Sequence, residues 1–298
     1  MIKNICTLFD KNFLHKGLTL YECLKNKLDT EFTLHCLCID QETFNVVDSI
    51  NDQKIIAYNL IDIENSNKDL IKLKESGFKS NYGDAFSQYC WSLTPFFCDL
   101  IINQDNVEEV LYVDSDIYFY EGFDLIKKEV KSKSIGIVTH RTSYHLNKET
   151  DVGKYNVGIV YFKGDSTGKD CSRFWRNLLL NPANEYSSRY GTCGDQKYLE
   201  LFEVKFGKEN VCIIDDLVGH GAPWCFDSYS YLEKYKIKWL DKEQNLVYNH
   251  FAHFNLVGDS WRSSNNGEWA PENIHHYVKE YYEDYHKEIL VTKKKYHL

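Results

Sequence analysis

The chain has no apolar run of 18 residues, no glycine-rich phosphate loop, no C-x-x-C pair and no excess of basic charge. Each absence removes a class of protein. Without a long apolar run, no segment reads as a membrane span. The stretch Met1-Ile2-Lys3-Asn4-Ile5-Cys6-Thr7-Leu8-Phe9 lacks the apolar core and cleavage site of a secretory leader, so a cytoplasmic location is the expectation. G-x-G-x-x-G does not follow the first apolar run and G-x-x-x-x-G-K-[ST] occurs nowhere, which excludes dinucleotide enzymes and P-loop ATPases. With 35 basic against 44 acidic residues the net charge is -9, and no nucleic-acid partner is expected. The ten cysteines fall at irregular spacings. They read as reduced, buried small hydrophobes, and no Cys/His cluster has zinc-site spacing. Linkers, internal repeats and low-complexity segments are absent as well.

What is present is a globular chain of 298 residues, 43% hydrophobic and 27% charged, with 22 Tyr, 17 Phe and 6 Trp. Its length suffices for one large core. Ile2 to Phe9 reads as a buried strand, Lys16 to Leu28 as an amphipathic helix and Thr33 to Ile39 as a strand. Gln41 to Ile50 reads as a helix and Lys54 to Tyr58 as a third strand. This βαβαβ start predicts an α/β fold with a parallel sheet. Tyr89 to Asn103 reads as a helix that Pro95 kinks or breaks. Further strands are expected at Ile135 to Thr139, Asn156 to Phe162, Val211 to Ile214 and Leu246 to Tyr248. Helices are expected at Cys171 to Leu180, Asp195 to Val204 and Glu272 to Ile289, the last Tyr-rich and followed by Lys293-Lys294-Lys295.

The most informative stretch is Val110-Leu111-Tyr112-Val113-Asp114-Ser115-Asp116-Ile117-Tyr118-Phe119-Tyr120. An apolar strand runs into two aspartates one residue apart, and residues so spaced on an extended chain point to one side. Two carboxylates that close repel unless a cation lies between them, so the pair reads as a divalent metal site beside a phosphate, or else as a polar turn ending the strand. Four more segments stand out. Tyr155-Asn156-Val157-Gly158 puts an Asn and a Gly at a strand mouth, where Gly permits close backbone approach. Gly194-Asp195-Gln196 opens a helix, and Asp195 alone would read as its N-cap. Gly219-His220-Gly221-Ala222-Pro223-Trp224 reads as a rigid loop with an exposed Trp, suited to a sugar face or to ordinary loop packing. Asn249-His250-Phe251-Ala252-His253 follows a strand and offers one nitrogen ligand from either His.

In this order the segments resemble the GT-A-fold glycosyltransferases, in particular family 8 and related nucleotide-diphospho-sugar transferases. That family has a D-x-D, then Asn-x-Gly before an apolar run, then Asp-Gln at a helix start and a late His. Here these are Asp114-Ser115-Asp116, Asn156-Val157-Gly158, Asp195-Gln196, and His250 or His253. His253 to Trp261 loosely resembles the family's H-x-x-G-x-x-K-P-W, with the Lys and Pro missing. Trp91-Ser92-Leu93-Thr94-Pro95, Gly194 to Leu199 and Ala222-Pro223-Trp224 resemble a bacterial branch of sugar transferases. The resemblance covers residues 1–262 and implies a single GT-A domain over 1–298, Rossmann-like, with a mixed, mainly parallel sheet and an irregular C-terminal acceptor-side half. Within it, 1–120 would be the nucleotide-binding half, 121–262 the donor-sugar and acceptor half, and 263–298 a helical tail.

The resemblance also implies roles. Thr7, Leu8, Phe9 and Asp10 would cradle the nucleoside, with Trp91, Ser115 and Gly158 also on the donor. Asp114, Asp116 and a C-terminal His, His250 or His253, would hold Mn²⁺ or Mg²⁺. Asn156, Asp195 and Gln196 would face the donor sugar, and Gln196 favours retention. The partners implied are a nucleotide-diphospho sugar, UDP-linked by analogy, and a glycan or lipid-linked glycan acceptor. Bacterial polysaccharide assembly, with peripheral contact at the inner membrane face, is a further expectation. Two rivals start from the same residues. Haloacid-dehalogenase-type phosphatases carry D-x-D-x-[TV]; there Asp114 would be the nucleophile and Asp116 the acid/base, with Mg²⁺ shared by Asp215 or Asp216. Against it, Tyr118 fills the fifth position and three strands precede the pair. The other rival is a non-catalytic carbohydrate- or metal-binding domain.

Overall fold

In the computed structural model, which describes residues 2–28, 31–76, 83–143, 149–181, 183–191, 193–258, 260–263 and 275–298, the N-terminal alternation folds as read. It gives β1 (Asn4–Phe9), α1 (Leu14–Lys27), β2 (Thr33–Cys38), α2 (Gln41–Ser49) and β3 (Ile55–Asn59). The three strands are parallel in the order β3-β2-β1. Asp40 caps α2 by accepting from the Thr43 backbone N–H at 2.8 Å. In α1, Gly17 lies against the Phe9 ring so closely that a Cβ there would sit 2.3 Å from it. Two short helices that the periodicity does not reveal follow, α3 (Leu60–Ser66) and α4 (Lys68–Ser76).

Helix α5 (Ala85–Ile102) begins four residues before its expected start and passes through Pro95 without ending. A proline inside a helix costs about 3 kcal/mol locally. Twelve of the helix's residues are buried, and that burial outweighs the local cost. Next come β4 (Glu109–Val113), β5 (Ile117–Phe119), α6 (Asp124–Val130), β6 (Ile135–Thr139), α7 (Glu149–Val152), β7 (Tyr155–Lys163), α8 (Ser166–Leu180) and α9 (Ser187–Tyr190). The helix expected at Asp195 to Val204 is instead a 3-10 turn over Gln196–Glu200 running into α10 (Leu201–Phe206), followed by β8 (Val211–Ile213). The main sheet has the order β3-β2-β1-β4-β7-β6-β8. Only β7 runs antiparallel to its neighbours in it, so the sheet is mixed and mainly parallel.

The C-terminal half is organised by a second sheet. It contains β9 (Val218–Gly221), β10 (Ser230–Glu233), β11 (Lys236–Trp239) and β12 (Lys242–His250), in the order β10-β11-β12-β5 with β9 alongside β12. A hairpin of β13 (Phe254–Val257) and β14 (Ser260–Ser263) follows. Helix α11 (His276–Tyr296) carries Lys293 to Lys295 in its last turn; Glu272, its expected start, lies outside the described residues. Two apolar clusters cover the faces of the main sheet, and a third joins the second sheet to α11. Much of the tyrosine surplus is spent in the third: Tyr285 stacks on Phe251 at 4.0 Å and Tyr282 on Trp261 at 4.9 Å.

Candidate metal centre

Strand β4 is buried throughout and ends at Val113. The Asp114 N–H still donates to the Gly158 carbonyl at 3.0 Å, continuing the β4–β7 pairing by one residue. The Ile117 N–H then donates back to the Asp114 carbonyl at 3.1 Å, closing a turn, and the chain leaves the main sheet for β5 in the second. The two aspartates therefore sit in a turn and not on the extended chain expected. Their carboxylates converge because the turn is pinned on both sides. Its far side is held by the Phe251 N–H donating to the Asp116 carbonyl at 2.9 Å.

That last bond brings in the histidine. His250 ends β12, opposite Ile117. Its Nε2 lies 3.0 Å from Asp116 Oδ1 and 3.6 Å from Asp114 Oδ2. One donor atom from each of Asp114, Asp116 and His250 lies within 4.8 Å of the others. The other ring nitrogen, Nδ1, faces Asn156 Oδ1 at 3.4 Å. If Nδ1 carries the proton, Nε2 is left free for a cation, the usual second contact of a ligating histidine. Gly158 makes the approach possible: a Cβ there would lie 2.5 Å from Asn156 Oδ1 and 2.8 Å from His250 Nδ1. His253 is exposed, has φ +63° and is outside this cluster.

The charges in the cluster are unequal. Burial raises the Asp114 carboxyl, Asp116 adds to that, and His250 opposes it. Burial acts the same way on Asp116, but His250 and Lys16 override it and hold its carboxyl well below the usual range. Burial disfavours the His250 imidazolium, yet Asp116 and then Asp114 hold it above its ordinary range. Two carboxylates and an imidazole are a donor set that suits a divalent cation, so the residues fit a metal.

Around the centre is a chain of amides. Asn156 Nδ2 donates to Gln196 Oε1 at 2.9 Å, and Gln196 Nε2 donates to the Val152 carbonyl at 2.9 Å. His140, buried, lies with Nδ1 2.8 Å from the Gly153 carbonyl and Nε2 3.4 Å from Asn156 Nδ2. Asp195 makes no N-cap bond. It is buried, and among the described residues its Oδ2 has no hydrogen-bond partner. Burial, then the nearby Asp114, pushes its carboxyl well up. An orphaned buried oxygen is costly and marks a place where a ligand hydroxyl would be welcome. Trp91 packs against Gly194, whose Cβ position would be 2.6 Å from the ring, so it supports the Asp195 loop.

The residues expected to cradle the nucleoside end β1, which pairs with β4 from Asn4 opposite Val110 to Cys6 opposite Tyr112. Thr7 and Phe9 are buried in the sheet, Leu8 is half-buried, and Asp10 is spent accepting from the Asn12 and Phe13 N–H groups. Ser115 is buried between the two aspartates. Trp224 is not the exposed ring expected: it is buried, T-shaped against the His250 ring with the ring centroids 5.3 Å apart, and Val218–Gly221 before it is strand. Asp215 and Asp216 lie beyond β8, three strands from β4, where Asp215 pairs with Arg141 and Asp216 with Lys242. They cannot share a metal with Asp114, which removes the phosphatase rival. Two site residues escaped the sequence reading. Tyr112 donates to Asp114 Oδ1 at 2.8 Å, as strand alternation could have told. Lys16, buried in α1, lies 3.7 Å from Asp116 Oδ2, and nothing in its spacing signals this.

The sheet order and the likeness to solved structures give the chain a GT-A-type glycosyltransferase fold. At the level of particular proteins, it is similar to galactosyltransferase LgtC, solved in complex with donor and acceptor sugar analogs, with a TM-score of 0.56, 11% identity and 95% of each chain covered. It is also similar to apo mouse xyloside xylosyltransferase 1, with a TM-score of 0.55, 14% identity, and 83% of this chain and 97% of that one covered. In sequence it is similar to YfnF of Bacillus subtilis (strain 168), itself uncharacterized, 26% identical over 265 residues that cover 86% of this chain and 83% of YfnF. No family model matches the chain.

Proposed function

We propose that this protein is a metal-dependent glycosyltransferase that moves a sugar from a nucleotide-diphospho sugar, a UDP-sugar by preference, to a glycan or lipid-linked glycan. The observation that carries the proposal is the convergence of Asp114, Asp116 and His250 at the edge of β4, on a fold shared with glycosyltransferases. These three residues would hold Mn²⁺ or Mg²⁺, which when bound supplies positive charge to the diphosphate leaving group. Asn156 orients His250 and is itself oriented by Gln196. Asp195 offers its unpartnered Oδ2, as acceptor or as protonated donor, to a hydroxyl of the donor sugar. No carboxylate outside the cluster is needed to protonate the leaving group, and the amide of Gln196 beside Asn156 supports a retaining reaction over one that needs a strong base. The intact cluster favours an enzyme over a binding domain that has lost its chemistry.

The proposal is tested by calorimetric titration of the purified chain with UDP, GDP and CDP, with and without Mn²⁺. Metal-dependent binding of at least one nucleoside diphosphate is expected. Absence of binding by all three, with Mn²⁺ present, contradicts the proposal.

A further inference from the structure

Lys16 occupies a position where a lysine is costly. It is the third residue of α1, its side chain is 4% exposed, and its ammonium lies between Asp116 Oδ2 at 3.7 Å and the Phe13 ring at 4.3 Å. A buried ammonium is tolerated only when well paired. Here the pairing is long, and it is shared, because Asp116 also faces His250 at 3.0 Å. Among the described residues, the ion partners of Asp114 and Asp116 are His250 and Lys16. A divalent ion held by the cluster would balance both carboxylates by itself. The charge of Lys16 would then be surplus, and the centre would carry one net positive charge with His250 neutral. The natural complement of a buried, under-paired ammonium beside a metal is a further anionic oxygen.

We propose that Lys16 is a donor-binding residue whose ammonium takes an anionic oxygen of the diphosphate, adding a cation that the three-residue metal cluster does not supply. The proposal rests on the glycosyltransferase reading, since it needs a diphosphate beside the metal. The bland alternative makes Lys16 a counter-ion of Asp116 and nothing more. The two roles part on sign. Removing a neighbouring positive charge favours metal in either case, because less repulsion opposes the ion. A mere counter-ion leaves the diphosphate to follow the metal, whereas a donor-binding lysine makes it move the other way.

The test uses the full chain with Lys16→Met and Lys16→Gln, their folding checked by thermal melting, titrated with Mn²⁺ alone and then with UDP and inorganic pyrophosphate at saturating Mn²⁺. The expected result is tighter binding of Mn²⁺ alone, by about threefold or more. UDP and pyrophosphate should bind roughly ten- to a hundredfold more weakly, the range for losing a charge-assisted hydrogen bond. Diphosphate affinity that is unchanged, or that rises with that of Mn²⁺ in both variants, overturns the proposal. Wild-type protein that binds Mn²⁺-pyrophosphate but none of the nucleoside diphosphates overturns the donor reading alone, and the pyrophosphate comparison then decides the role of Lys16. Wild-type protein that binds neither overturns both.

Discussion

Single residues make up the candidate metal centre, and they can be separated by substitution. Asp116→Ala should weaken Mn²⁺ binding more than about a hundredfold, since even changes beyond the direct ligands cost about 10–100-fold. Asn156→Ala should fall inside that outer range, because it leaves the ligands intact and frees the His250 ring to turn. His250→Ala should reduce Mn²⁺ affinity while His253→Ala leaves it near the wild-type value, a contrast that titration calorimetry reads directly. Mn²⁺ affinity should also fall as pH drops. Asp116 holds the His250 proton above the ordinary histidine range, and a metal must displace that proton to bind. The affinity should therefore climb through a pH above 6.5 and level off beyond it; a flat profile from pH 6 to 8.5 would count against His250 as ligand. At this scale Asp114 and Asp116 stood out because they interrupt an apolar run, whereas Asn156, Gly158, Asp195 and Gln196 stood out through the order of their motifs. Lys16 did not, because a lysine in an amphipathic helix reads as solvent-facing until tertiary packing buries it. His250 and His253 could not be told apart, because only the pairing of β12 with β5 aims the first of them at the aspartates.

At the scale of elements, the site depends on two close approaches that glycine permits. One is Gly158 in β7, against Asn156 and His250; the other is Gly17 in α1, against Phe9. Gly17→Ala should destabilise the fold by about 1–3 kcal/mol, as overpacking in a core does, because the buried Phe9 ring must yield; urea unfolding measures it. The βαβαβ start was legible because its helices are amphipathic and its strands apolar. The helix over Tyr89 to Asn103 was legible too, but whether Pro95 kinks or breaks it was not, because burial on both sides of the proline decides it. The second sheet was legible only at Leu246 to Tyr248: its strands β9, β10 and β11 are four residues each, too short for a periodic signal.

For the whole molecule, burial of histidines sets the response to acid. Burial pushes His35 and His140 each down to about 4, and His15 likewise, with help from Lys16 and Lys293. The unfolded chain takes up these protons near pH 6.5, whereas the folded chain resists until about 4. Stability should thus be intact above pH 6.5 and fall steadily between 6.5 and 4. Melting temperatures measured across that window should drop, and His35→Asn should flatten part of the slope. The main sheet supplies the rigid edge on which the D-x-D turn stands, and the second sheet brings His250 to it, so the centre exists only once both are formed. Among the described residues no helix is long and apolar enough to cross a membrane.

The most direct measurement is release of nucleoside diphosphate from a panel of UDP- and GDP-sugars by wild-type protein and by Asp116→Ala, each with Mn²⁺ and with chelator. The account predicts release from at least one donor by wild-type protein with Mn²⁺ only, and none by the variant. Release that survives chelator or the loss of Asp116, or no release from any donor, would contradict it.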